Sequence, residues 1–202
     1  LAETCLKKSY EINVKYIPAL NNLVGLYINW QQPDLALKFA KKGILLEPKN
    51  PISRSQHAKA LLLNGDLDEA IQILEDLYKE FPSPPFRMDL SSAYREKGDI
   101  EKSDQIVKEE FNKDYKILNF FALYAIDKSN SLTSEQIKYY EDMVNTDAKE
   151  ERSLISDQVK LCETFYIYYK NKKDLKKSSQ YLLKMNQLQF GMKKYDLELE
   201  KK

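Results

Sequence analysis

Apolar residues recur every three or four positions along most of the chain, which is the spacing of one face of an α-helix. The stretch DEAIQILEDLYKEFP shows this clearly, because one face carries only small and aliphatic side chains before a proline ends the run. That face consists of Ala70, Ile73, Leu74 and Leu77. A second helical run, HAKALLLNG, comes directly before it. The pattern predicts an antiparallel pair of helices in an all-α protein.

A short polar motif separates these two runs and returns along the chain. It reads NGDLDEAIQ at 64–72, KGDIEKSDQ at 97–105 and KKDLKKSSQ at 172–180. Gly65 can adopt the left-handed conformation that ends a helix. Asp66 can then accept hydrogen bonds from the first free amides of the next helix. Each copy is predicted to be a corner between two helices.

A small residue follows each corner at a nearly constant interval. Ala2, Ala36 and Ala70 are 34 residues apart, and Ser103 follows after 33. Helices that cross within about 8–10 Å need a small side chain at the crossing point. The spacing therefore predicts an array of structural repeats.

This helix–turn–helix period, with small, aromatic and proline residues in a fixed order, resembles the tetratricopeptide repeat (TPR). In the first full unit the matching positions are Leu20, Leu23, Val24, Tyr27, Ala36, Ala40, Gly43 and Pro48. In the second they are Ala58, Leu61, Gly65, Ala70, Leu74, Leu77 and Pro82, and in the third Leu90, Ser91, Tyr94, Gly98 and Ser103. Arg54 and Arg87 depart from the motif, since they stand where a large apolar residue is usual. The resemblance implies a right-handed superhelix of antiparallel helix pairs, with about 11 helices.

The repeat pattern is strong up to about residue 112 and then loosens. We predict TPR-like repeats at 1–112, divided into a partial repeat at 1–16 and repeats at 17–50, 51–83 and 84–112. An irregular helix pair is predicted at 113–148, where YKILNFFALYAIDKS indicates a buried helix and Thr133 and Gln136 indicate a capping box. A C-terminal TPR-like pair at 149–192 and a tail at 193–202 complete the chain.

Composition narrows the range of partners. The 202 residues are 43% hydrophobic and 31% charged, which is typical of a folded helical protein. The 32 basic and 31 acidic side chains give a formal net charge of +1, so nucleic acid is disfavoured as the main partner. The chain has no apolar run as long as a membrane span, and the stretch LAETCLKKSY lacks the apolar core expected of a signal peptide. We therefore expect a cytoplasmic protein that does not associate with membranes.

Signatures of catalysis are absent from the sequence. The single histidine, His57, cannot form a His-rich metal site, and Cys5 and Cys162 lack the spacing of a metal pair. The chain also lacks a GxxxxGK phosphate loop, a GxSxG elbow and an HExxH helix. We expect no catalytic, cofactor-binding or metal-binding residues and a chain that is not an enzyme.

The TPR resemblance implies a binding groove lined by the first helix of each pair, with a protein or peptide as its ligand. Helical spacing predicts the groove residues Asn21, Gly25, Ile28, Ser55, Lys59, Leu62, Met88, Ser92 and Arg95. Some family members clamp a terminal carboxylate with Lys, Arg and Asn side chains. Only Asn21, Lys59 and Arg95 could contribute to such a clamp here, and the full clamp pattern is not present.

Two other functions stay open on the sequence alone. The spacing from Ser178 to Asn186 is similar to that in the helical region of bacterial sulfotransferases with N-terminal repeats. That resemblance implies a docking or assembly arm, with a catalytic domain C-terminal to residue 202. The minor alternative is an RNA-binding helical repeat of the pentatricopeptide kind, which needs a regular pair of base-reading positions per repeat and a basic groove, and neither is visible in the sequence. The stretch FYIYYKNKK at 165–173 invites an RNA-stacking hypothesis, although its helical spacing favours core packing.

Overall fold

The protein is α-helical throughout the residues that its structure describes. The structure is a computed structural model that describes residues 2–127, 130–147 and 151–199, with backbone alone from 193 onward. Within these ranges the chain forms 11 helices and no strand, which confirms the predicted all-α fold. The helices are α1 (Ala2–Ile12), α2 (Ile17–Asn29), α3 (Pro33–Leu46), α4 (Pro51–Asn64), α5 (Leu67–Glu80), α6 (Pro84–Lys97), α7 (Ile100–Lys113), α8 (Leu118–Ile126), α9 (Ser134–Asn145), α10 (Arg152–Asn171) and α11 (Leu175–Leu199).

The helices form two compact units, Leu1–Ile106 and Val107–Lys202, and the division falls within α7. In the first unit each helix from α1 to α5 packs against the next, and α4 also packs against α2 and α6. Short connections between consecutive helices make neighbours antiparallel. The first helices of successive pairs, α2, α4 and α6, therefore lie side by side in this unit.

The predicted corners share one backbone geometry. Gly65 and Gly98 adopt the left-handed conformation, with φ of 92° and 87°. After each glycine, an aspartate N–H donates to a carbonyl one turn back: Asp66 to Leu61 and Asp99 to Tyr94, both at 2.9 Å. These are the bonds of a Schellman motif, which satisfies carbonyl groups at the end of a helix. The prediction for Gly65 is confirmed.

Two further corners have the same geometry without glycine. In the third sequence copy Lys173 takes the left-handed position, with φ of 63°, and the Asp174 N–H donates to the Tyr169 carbonyl at 2.9 Å. A fourth corner lies between α2 and α3, where Gln31 has φ of 55°. The sequence motif missed this corner because neither its glycine nor its aspartate is present.

The side-chain cap predicted at Asp66 is wrong, although the aspartates of the other two copies do cap the helices that follow them. The Asp99 carboxylate accepts from the Lys102 N–H at 3.2 Å, and Asp174 accepts from the Lys177 N–H at 3.0 Å. The Asp66 side chain makes no capping bond and instead accepts from the Asn64 Nδ2 at 2.8 Å. A short amide two residues earlier competes for this carboxylate, whereas the other two copies have a lysine there.

Three of the four small residues of the predicted period are buried at helix crossings, whereas Ala2, the first of the four, is exposed. Ala36, Ala70 and Ser103 have no exposed surface. The hydroxyl of Ser103 lies 3.0 Å from that of Ser91, so the serine that replaces alanine is hydrogen-bonded in the interior. Ser178 likewise donates to the Tyr166 carbonyl at 3.0 Å.

Arg54 and Arg87, which stand where the repeat motif has a large apolar residue, make polar and cation–π contacts within the first unit. Arg54 pairs with Glu80 at 2.8 Å between its Nη1 and a carboxylate oxygen. The Arg87 guanidinium lies over the Tyr78 ring, 4.9 Å from the centroid. Both keep the long side chain packed against the neighbouring helix, so the repeat tolerates a cation at this position.

The second unit is built around aromatic residues. The predicted buried helix is α8, in which Phe120 and Phe121 have no exposed surface. Phe121 stacks on Tyr140 of α9, with ring centroids 3.7 Å apart. Thr133 and Gln136 form the predicted capping box at the start of α9. Phe165 of α10 is fully buried, which supports core packing rather than RNA stacking for its stretch.

The last helix, α11, packs along α10 and continues to Leu199. Its final residues belong to the segment at 193–202 that was predicted to be a tail. No proline follows Pro85 in the chain, so the sequence contains no strong helix terminator there.

Candidate protein-binding groove

A cavity of about 470 Å³ opens between α2, α4 and α6 in the first unit. Its lining consists of Ile28, Gln31, Lys59, Leu62, Leu63, Asp89, Ser92 and Glu96. All of these residues lie on, or directly after, the first helices of three consecutive pairs. We call this cavity the groove.

Four of the nine predicted groove residues line this cavity: Ile28, Lys59, Leu62 and Ser92. The remaining five do not line it. On α6 the lining residues are Asp89, Ser92 and Glu96, whereas the sequence predicted Met88, Ser92 and Arg95. The observed face of α6 is thus rotated by about one residue position from the predicted one, which explains why Asp89 and Glu96 were missed.

Asn21 and Gly25 serve contacts between helices rather than the cavity. Asn21 is buried, and its Oδ1 accepts from the Ser53 hydroxyl of α4 at 3.3 Å. A Cβ at Gly25 would lie 4.0 Å from the Gln56 Nε2, so this glycine faces α4 at ordinary contact distance. Both residues position α2 against α4.

Asp89 connects α4 to α6 beneath the opening of the groove. Its Oδ2 lies 2.9 Å from the Lys59 Nζ and accepts from the Ser55 hydroxyl at 3.0 Å. The Asp89 side chain is 16% exposed, so this ion pair is partly shielded from solvent. Ser55, a predicted groove residue, is itself buried and supports the groove through Asp89.

The second predicted cation is also paired. The Arg95 Nη2 lies 2.7 Å from the Asp104 Oδ1 on α7. Lys59 and Arg95 therefore each have a carboxylate partner within the protein. The three residues considered for a carboxylate clamp are two paired cations and one buried amide.

His57 and Cys162 lie in partly buried surroundings that favour their uncharged forms. His57 lies on α4, and partial burial lowers the pKa of its imidazole, so the neutral ring is favoured. Its Nε2 is buried without a hydrogen-bond partner. Burial raises the pKa of Cys162 to about 11, which keeps this thiol protonated near neutral pH.

The described part of the chain contains neither a metal-binding cluster nor a helix suited to a bilayer. No three His, Cys, Asp or Glu side chains in it are arranged to hold a metal ion. None of its helices is both long and apolar enough to cross a membrane.

Sequence comparison gives no identification of the chain. No family model matches it, and no curated protein matches it in sequence. Similarity is found at the level of solved structures.

Solved structures that are similar in fold include proteins with TPR-like repeats. A crystal structure of a variant of a putative kinesin light chain of Podosopora anserina, with nearly identical TPR-like repeats, superposes with a TM-score of 0.59. It is 17% identical, and the match covers 89% of this chain and 97% of that one. PilF of Pseudomonas aeruginosa has a TM-score of 0.55 and 15% identity, covering 98% of this chain and 87% of that one. A MamA double mutant, RS-1 ArsTM, has a TM-score of 0.50 and 14% identity, covering 87% and 96%.

Identities this low concern the fold alone. None of these three structures is a sulfotransferase, so that resemblance gains no support from them. The helix pairs, the Schellman corners and the small residues at the crossings agree with the likeness to TPR structures. The chain therefore has a TPR-like repeat fold.

Proposed function

We propose that this chain is a non-catalytic repeat scaffold that binds a peptide or protein segment in the groove. The observation that carries this proposal is the cavity of about 470 Å³ between the first helices of three consecutive pairs. Its lining combines three aliphatic side chains with polar and charged ones, which suits a peptide better than a small polar metabolite.

The groove also has the properties of a stable docking surface. The helices that form the groove belong to a unit with a packed core of fully buried side chains, among them Leu20, Leu23 and Tyr27. The Lys59–Asp89 pair fixes the spacing of α4 and α6. A preorganised site loses little conformational entropy on binding, which favours measurable affinity for a short segment.

The proposal is tested by selecting peptides and then changing the groove. Random 14-residue peptides are displayed and selected against the full chain, and the enriched sequences are synthesised. Leu62 is half-buried in the groove lining, and Leu62→Asp places a charge against the apolar part of the ligand. We expect this variant to weaken binding by about tenfold or more in fluorescence anisotropy.

A matched leucine outside the groove provides the control. Leu45 lies on α3 and is 80% exposed, so Leu45→Asp is expected to leave affinity unchanged. Unaltered binding by Leu62→Asp would refute the groove as the binding site. Loss of binding by Leu45→Asp alone would place the site on another surface.

A further inference from the structure

The groove has two chemically different sides. Ile28 of α2 together with Leu62 and Leu63 of α4 forms an aliphatic side. Asp89, Ser92 and Glu96 lie at the i, i+3 and i+7 positions of α6 and form a polar side. A ligand that fills the groove therefore contacts apolar groups on one side and carboxylates on the other.

The charges of the lining sum to a negative value. One lysine and two carboxylates line the groove, and the lysine is neutralised by Asp89 at 2.9 Å. Glu96 is exposed and makes no hydrogen bond or ion pair with any residue for which the structure describes a side chain. Its carboxylate is free to receive a cation from a ligand.

Asp89 has remaining capacity as well. Its Oδ2 pairs with the Lys59 ammonium and accepts from the Ser55 hydroxyl, and Asp89 has no third partner among the described side chains. Asp89 and Glu96 are seven residues apart, or about 10 Å along the helix axis. Two basic residues that are seven positions apart on a ligand helix are also separated by about 10 Å along its axis, which matches the separation of Asp89 and Glu96.

We infer that the groove recognises a segment of a partner protein that carries lysine or arginine beside aliphatic residues. This inference rests on the proposed function and names the chemistry of its ligand. The aliphatic side chains bury against Ile28, Leu62 and Leu63, and a cation pairs with Glu96. Electrostatic complementarity of this kind selects among ligands more strongly than it adds affinity. A segment that ends in a free carboxylate is disfavoured, because both candidate clamp cations are already paired.

The test uses three fluorescein-labelled helical peptides of 14 residues with identical leucine positions. They differ at two positions seven residues apart, which are lysine, glutamine or glutamate. Anisotropy titrations with the full chain at low ionic strength are expected to give about tenfold tighter binding for the lysine peptide than for the glutamate peptide. Raising the salt concentration should reduce this difference.

Glu96→Gln isolates the proposed charge contact. It should weaken binding of the lysine peptide by about two- to fivefold, as expected for an exposed ion pair, and leave the glutamine peptide unaffected. Glu101→Gln is the matched control, since Glu101 is an exposed carboxylate on α7 outside the groove. It should leave all three affinities unchanged.

Other results separate this inference from the proposed function. Equal or tighter binding of the glutamate peptide, no binding of the lysine peptide, or no effect of Glu96→Gln overturns the inference. If Leu62→Asp still abolishes binding of whichever peptide binds, the groove remains the binding site and only its charge preference is wrong. If Leu62→Asp has no effect on any bound peptide, the proposed function fails as well.

Discussion

Individual residues at the corners differ in how easily they adopt the required backbone conformation. Gly65 and Gly98 reach positive φ without steric penalty, whereas Gln31 and Lys173 do so with a Cβ atom. The left-handed conformation costs a non-glycine residue about 1–2 kcal/mol. Two of the four corners therefore reduce the stability of the units that contain them.

Lys173→Gly is expected to stabilise the protein by about 0.5–1 kcal/mol, because relief of the left-handed strain exceeds the greater entropy that glycine has in the unfolded chain. Lys173 is exposed, and its side chain makes no hydrogen bond or ion pair with the described side chains. Urea unfolding followed by far-UV circular dichroism measures the change.

The reciprocal change is the control for that measurement. Gly65→Ala should destabilise the protein by about 1 kcal/mol. Apart from the glycine itself and its two chain neighbours, no heavy atom lies within 4 Å of the position that its Cβ would occupy, so any loss comes from backbone conformation alone. Destabilisation by Lys173→Gly would show that the left-handed position is not strained.

Helix crossings set the geometry at the scale of the elements. Ala70 has no exposed surface and lies on the face of α5 that packs in the first unit. Ala36 and Ser103 hold the equivalent positions on α3 and α7. The spacing between paired helices therefore depends on side-chain volume at these positions.

Ala70→Leu is expected to reduce the free energy of unfolding by about 1–3 kcal/mol, because the larger side chain forces the helices apart. Chemical denaturation measures the loss. Gln72→Leu adds a leucine to an exposed position of the same helix and should change stability by no more than about 0.5 kcal/mol. Equal effects of the two substitutions would contradict the role of the crossing.

The elements were more predictable than the groove they form. The helices and the Thr133 cap could be predicted because their signals are local. Hydrophobic periodicity, and the proline, glycine and capping residues that begin and end helices, depend only on residues a few positions apart in sequence. The pairing of Lys59 with Asp89, and of Arg95 with Asp104, joins different helices. The sequence alone could not show that these two cations are paired, because such pairing depends on how each helix is rotated about its axis. For the same reason, an error of one residue position on α6 left Asp89 and Glu96 out of the predicted lining.

The whole molecule consists of two compact units that have different cores. The single tryptophan, Trp30, belongs to the first unit and contacts the Tyr27 ring edge-on, at 6.1 Å between centroids. Tryptophan fluorescence therefore reports on the first unit, whereas circular dichroism reports on all the helices. Repeat arrays gain most of their stability from contacts between neighbouring repeats, so a local defect need not act equally on both units.

Leu161→Ala and Leu20→Ala test whether the units unfold separately. Both leucines are fully buried, Leu161 in the second unit and Leu20 in the first, and each truncation should cost about 2–5 kcal/mol. Leu161→Ala should shift the urea transition seen by circular dichroism more than that seen by tryptophan fluorescence. Leu20→Ala should shift the fluorescence transition strongly. Coincident shifts of both signals in both variants would indicate a single cooperative transition.

The four corners also bear on how such a chain can diverge over evolution. Their shared geometry is held by main-chain hydrogen bonds, which survive when Gln31 or Lys173 stands in place of glycine. A lineage can therefore lose the glycine signature at a modest energetic penalty while the turn persists. Repeats of this kind will remain structurally alike long after their sequences cease to look like copies of one another.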